Sequence, residues 1–241
     1  MLLFDAGRAE EALTLWRSAT AGGHADPVAL RNAALATFQL EGDGRAALAL
    51  YEQAIAQRPD PRLVYEADQL RQRLGVSDDE RMRALEVHLE QVLQRDDATV
   101  EYGLLLVRAG RLDEAEQLVN SRSFSPWEGG EGRTLELWDT LQLALSRERE
   151  EAGDPLGALA AARRALEVPH SLGEARHPLS DTGRIHGRIA ELLEAGGDAE
   201  GARRERERMR ATTMVLPVLE DGSVDYFATS LPDLLLFPER N

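Results

Sequence analysis

The sequence predicts an all-α fold, a right-handed stack of about six helix pairs followed by an irregular tail. Three observations carry this. A glycine and a polar residue, with an alanine five positions after the glycine, recur as Gly7-Arg8…Ala12, Gly42-Asp43…Ala47, Gly110-Arg111…Ala115, Gly153-Asp154…Ala158 and Gly197-Asp198…Ala202. Successive alanines lie 35, 68, 43 and 44 residues apart, and 68 is two periods of 34, which places one degenerate copy near Arg81. A fixed period of this size marks helix pairs that bury their apolar faces by stacking on neighbours. Composition agrees: 38 Leu and 34 Ala against 3 Ile favour helix over sheet. Within each copy the apolar positions keep helical spacing.

Taken in order, helix pairs are expected at about 1–20, 27–57, 61–95, 98–120, 134–167 and 182–211. Gly7, Ala12, Trp16 and Ala19 organise the first. In the second, Gly42-Asp43 makes the turn, where glycine accepts a left-handed helix end without a Cβ penalty. Ala47 is the small residue that lets two helices approach, Tyr51 and Ala54 share its face, and Pro59 stops the second helix. This copy resembles the tetratricopeptide repeat closely, and that resemblance implies an α-α superhelix. The third copy, roughly 60–95, keeps helical periodicity but lacks the signature. Gly103 supplies the small residue of the fourth. The repeat array is therefore residues 1–211, and 212–241 form the tail.

The wider spacings of 43 and 44 put extra residues into the connections Ser121–Arg133 (SRSFSPWEGGEGR) and Pro169–Asp181 (PHSLGEARHPLSD). Equivalent connections of a solenoid share one edge, so the two insertions should be neighbours. After RRERERMR the chain leaves the helical pattern for TTMVLPVLEDGSVDYFATSLPDLLLF. Its many apolar side chains favour packing over the last pair as a cap, with the groove as the alternative. SFSPWEGGEGR, SLGEARHPLSDTGRIHGRIAELLEAGGD and YFATSLPDLLLF resemble the C-terminal region of large bacterial proteins that carry a domain of unknown function, family 5107. The resemblance covers roughly residues 100–241. It implies a repeat array behind a β-rich domain that looks carbohydrate-active, hence a chain that is one piece of a longer protein. Met1 stands six residues before Gly7, which also suggests a half-repeat at the start, with self-association through an uncovered apolar end.

Composition excludes several chemistries. The 241 residues hold no cysteine, so disulfides, thiolate metal sites and cysteine nucleophiles are absent. All 28 basic residues are arginine, which removes the lysine of a phosphate loop or a Schiff base. A net charge of −15 repels phosphate backbones, so nucleic acid is not an expected partner. No apolar run reaches membrane-spanning length, and MLLFD is too short and acidic for a signal peptide. A soluble, cytoplasmic protein without membrane partner or cofactor is expected.

The candidate binding residues lie in the two insertions. Trp127, Glu128, Glu131 and Arg133 combine an aromatic face, two carboxylates and a guanidinium around three glycines, the mixture a sugar or peptide site uses. The alternative is that Trp127 plugs the loop and the charges are solvated. Glu174, Arg176 and His177 of the second insertion would share the same polar pocket if the loops meet, with an Arg176–carboxylate pair pinning the loop. His170, His177 and His186 are spaced by 7 and 9, which matches no short metal-ligand pattern, so no metal is expected and His186 reads as a core residue. By register the first helices turn Asn32, Ala36, Glu66, Leu70, Val100, Leu104, Arg147, Glu150, Glu191 and Glu194 toward the groove. No catalytic residue stands out. The leading function is a non-catalytic protein-interaction or scaffolding module of a larger protein, binding a protein or peptide segment or a neighbouring domain of its parent. The alternative is an accessory part of a carbohydrate-active enzyme whose long loops complete a sugar-binding site.

Overall fold

A computed structural model describes residues 7–20, 26–125, 127, 130–177 and 180–212. Glu128, the start at Leu2–Phe4 and the expected cap 213–241 lie outside the described residues. Those described form twelve α-helices and no strand, in the helix–turn–helix order of a tetratricopeptide-like α-α fold. They are α1 (Ala9–Thr20), α2 (Pro27–Ala36, continued by a π turn at Thr37–Glu41), α3 (Gly44–Gln57), α4 (Pro61–Arg73), α5 (Asp78–Glu86) and α6 (Leu89–Val92). There follow α7 (Asp96–Arg108), α8 (Leu112–Asn120), α9 (Arg133–Glu151), α10 (Pro155–Arg164), α11 (Gly183–Ala195) and α12 (Ala199–Thr212). The chain divides into two compact units, Met1–Ala144 with Val168–Ala175, and Leu145–Glu167 with Arg176–Asn241.

The recurring turn works as its residues dictate. Gly42, Gly110, Gly153 and Gly197 all take positive φ, between 69° and 85°, closing the first helix of a pair. The next residue then starts the second helix. Asp43, Asp154 and Asp198 each accept a hydrogen bond from the backbone N–H three positions on, at 2.9, 2.8 and 2.8 Å. Asp26-Pro27 and Asp60-Pro61 start first helices in a related way, with a capping carboxylate and a proline whose missing N–H costs nothing there.

The third copy lacks the signature, as expected, but keeps its turn. Gly75 takes the same left-handed turn at φ 71°, and Ser77 caps α5 through Glu80 N–H at 3.3 Å. What differs lies four residues past the cap. Ala47, Ala115, Ala158 and Ala202 occupy that position elsewhere and are 0% exposed; here it is Arg81, 1% exposed. Its Nε and Nη2 donate to the buried Asp68 carboxylate of α4 at 3.0 and 2.7 Å. Glu101 of α7 lies 3.5 Å from the same guanidinium. The second helix of this pair is also broken, into α5 and α6, at Val87-His88.

In the first unit α7 is buried from Ala98 to Val107 without interruption. Its one buried charge, Glu101, is paired with Arg133 and lies near Arg81. The expected groove positions Val100 and Leu104 are therefore core, as are Ala36 and Leu70, at 1%, 3%, 1% and 5% exposure. Close approach to α9 explains Gly103: a Cβ there would stand 2.8 Å from Leu137 Cδ2.

The second unit is held by alanines and arginines. Ala158, Ala161, Ala162 and Ala165 of the α10 region are fully buried, as is Ala202 of α12. Arg188 of α11 ties back to residues 146–150, donating to Ser146 Oγ at 3.1 Å and Glu150 Oε2 at 2.7 Å. His186, expected in the core, is 8% exposed, and its Nδ1 lies 2.7 Å from Glu205 of α12. No described helix is long and apolar enough to cross a membrane.

Candidate functional site

The two insertions meet within the first unit. Phe124 N–H donates to Ser171 C=O at 2.7 Å. Arg122 anchors the first loop, donating to Asp96 and to Thr99 Oγ1 while its guanidinium lies 5.0 Å from the Phe124 ring centroid. Ser125 N–H adds a bond to Asp96 at 2.8 Å. Beyond it Gly132 takes φ 80° and leads into α9.

Glu174 joins the loops. One carboxylate oxygen accepts from Leu135 N–H at 3.0 Å and from the Thr134 hydroxyl, which is shared with Leu172 C=O. The other accepts from Gly132 N–H at 2.8 Å. The carboxylate thus caps the start of α9 from forty residues away, where orphan N–H groups and the helix dipole both favour an anion. Arg133 is paired too, with Glu101 and Glu136. Through Glu101 it closes a chain of charges that begins at Asp68 and Arg81.

A cavity of about 330 Å³ remains between the loops, lined by Trp127, Gly130, Glu131, Thr134, Leu172 and Glu174. Trp127 is half-buried and packs on Gly130, where a Cβ would fall 2.0 Å from its Cε2. Gly130→Ala is expected to push the indole outward, read as stronger acrylamide quenching of tryptophan emission. Unchanged quenching would show that Gly130 does not hold the ring. Glu131 is exposed beside it. Of the expected site residues, the structure therefore gathers Trp127, Glu131, Arg133 and Glu174 in one region of the first unit. Arg176 and His177 belong to the second unit: Arg176 Nη2 donates to Ala165 C=O at 2.9 Å and His177 is exposed. No group of three metal-ligating side chains forms among the described residues.

A second cavity, about 190 Å³, opens between the first helices α2 and α4. Ala34, Leu35 and Phe38 come from α2, Leu70 from α4, and Tyr51 reaches in from α3. Cavities of about 150 Å³ with aliphatic walls take up a benzene ring, so one large side chain fits here. Glu66 at its edge is saturated: Arg31 donates twice at 2.7 and 2.5 Å, Arg62 at 2.8 Å, and Tyr51 Oη at 3.0 Å. Burial pushes the Glu66 carboxyl up, but the hydrogen bonds from Arg31 and Arg62 outweigh it and hold it below the ordinary value of 4.5. A depressed carboxyl stabilises the fold above the unfolded pKa and loses that contribution as pH falls through the folded one. Glu66→Gln is expected to cost about 1.5–3 kcal/mol at neutral pH. The gap to wild type should narrow below about pH 4.5 in denaturant titrations, and a gap independent of pH would refute the assignment.

Gln69 and Arg73 complete this cavity and were missed in the sequence. Their signal was there. Glu66, Gln69, Leu70 and Arg73 follow one face of α4 at helical spacing.

No family model matches the chain. Among solved structures it is similar to MamA RS-1 in its ArsTM double mutant, at 12% identity and TM-score 0.53, over 77% of this chain and 93% of that one. It is also similar to MamA AMB-1, at 18% identity and TM-score 0.50, over 88% and 98% respectively. MamA is a tetratricopeptide-like helical repeat protein, and at these identities the likeness shows the fold.

Proposed function

We propose that this chain is a non-catalytic protein-interaction or scaffolding module of a larger protein, and that it takes a peptide segment of its partner between α2 and α4. The observation that carries this reading is the apolar cavity there, open beside the buried side chain of Tyr51 and large enough for one side chain. Burying a Leu or Phe in it is worth roughly 1.5–3 kcal/mol, enough to anchor a segment that makes further contacts around it. We assign Trp127 and Glu131 as a secondary contact and Arg133 and Glu174 as its supports. Glu174 is committed to capping α9, so it serves the loops as a support and not as a free carboxylate. The test is a selection of displayed peptides against the full chain, repeated on Leu35→Arg and on Phe38→Gln with melting curves to verify folding. Peptides held by the parent and lost by a folded variant are expected. Peptides retained equally by the folded variants would sink the reading.

A further inference from the structure

The edge of the cavity between α2 and α4 carries Glu66, Gln69 and Arg73. Gln69 Nε2 is buried and has no acceptor among the described residues. Arg73, one turn further along α4, is exposed and has no carboxylate partner among them. Glu66 offers nothing in return, because four donor contacts already occupy its carboxylate. The uncommitted groups at the edge are thus the Arg73 guanidinium and the Gln69 amide, around a floor of Leu35, Phe38 and Leu70. Local charge points the same way. Of the charged side chains that line the cavity, Glu66 is engaged by Arg31 and Arg62, which leaves the Arg73 cation uncommitted, in a chain whose net charge is −15. The distant negative charges are screened beyond roughly 8–10 Å at physiological salt, so the local donors decide what docks.

Resting on the interaction reading above, we propose that the partner is a segment in which a leucine or phenylalanine is followed within two residues by an aspartate or glutamate. The apolar side chain fills the cavity. Gln69 donates to that residue's backbone carbonyl, and Arg73 pairs with the acidic side chain, whose carboxylate matches the guanidinium fork. Binding would give the buried Gln69 amide, one of several buried side-chain polar atoms without a partner among the described residues, an acceptor.

Three peptide libraries test this, each displayed inside a loop of a carrier so that no terminal carboxylate is free. All fix a leucine, and the position two residues later is Asp, Asn or Lys. Against the full chain at low salt, the Asp library is expected to enrich about tenfold over the Lys library, the equivalent of one charge-assisted hydrogen bond. High salt should erode that preference. Arg73→Gln changes an exposed side chain, so the fold should survive; it should level the Asp and Lys libraries while leucine-dependent binding persists. If all three libraries enrich equally and Leu35→Arg abolishes each, the interaction reading stands and the acidic preference is wrong. If none enriches, or an Asp preference survives Arg73→Gln, the proposal is overturned.

Discussion

Arg81→Met is expected to destabilise the first unit by about 3–5 kcal/mol, the usual cost of stranding a buried charge. Asp68 is 1% exposed, and both its oxygens face Arg81 at 3.0 and 2.7 Å. With the guanidinium gone, the carboxylate keeps its desolvation penalty and loses its counter-charge. Glu101 suffers less because Arg133 still pairs with it. The melting temperature should fall by roughly 10 °C, given about 2–4 °C per kcal/mol at this size. Removing both charges tests the reasoning. Arg81→Met with Asp68→Leu should recover most of the loss, because apolar replacements of a buried pair are often neutral or better. A single variant that melts within 2 °C of the parent would show that the pair does not hold α4 to α5.

Why an arginine stands where every other copy has alanine follows from the break it accompanies. Its helix is interrupted at Val87-His88, and within α5 the buried residues are Arg81 and Leu85. The ion pair joins it to α4 and, through Glu101, to α7. Orientation is fixed by charge where the other copies fix it by close packing.

The repeat was legible because it is local. Gly42-Asp43 or Gly197-Asp198 specifies a left-handed turn and a capped helix within a few residues, and a fixed period reveals the rest. The meeting of the two insertions was legible too, since equal additions at equivalent places must lie together. Partners distant in sequence were not. Nothing near Arg81 says that Asp68 and Glu101 will be its neighbours, and nothing near Glu174 says that it caps a helix beginning at Arg133. The unbroken burial of α7 was readable in principle, since Val100 and Leu104–Val107 leave that helix little polar face. A generic tetratricopeptide register, which keeps one side of each first helix open, hid it. Both oxygens of Glu174 are engaged in the cap of α9.

Glu174→Ala is expected to cost about 2–3 kcal/mol, between a helix cap and a pair of charge-assisted hydrogen bonds. Gly132 and Leu135 N–H would lose their acceptor at the dipole-positive end of α9, and the Thr134 hydroxyl would keep only Leu172 C=O. The effect should be local before it is global. Amide exchange at Gly132 and Leu135 should accelerate well ahead of exchange in α7, because the cap fails while the core helix stays packed. Glu174→Gln separates charge from hydrogen bonding: it keeps an acceptor for one N–H, loses the anion, and should fall between alanine and the parent. Loosened loops should also free Trp127, whose cavity Glu174 helps to line, so acrylamide quenching should rise in both variants. Equal exchange at Leu135 in parent and alanine variant, with melting temperatures within 1 °C, would mean that the first turn of α9 is held by Arg133 and its carboxylate partners without help from the second loop.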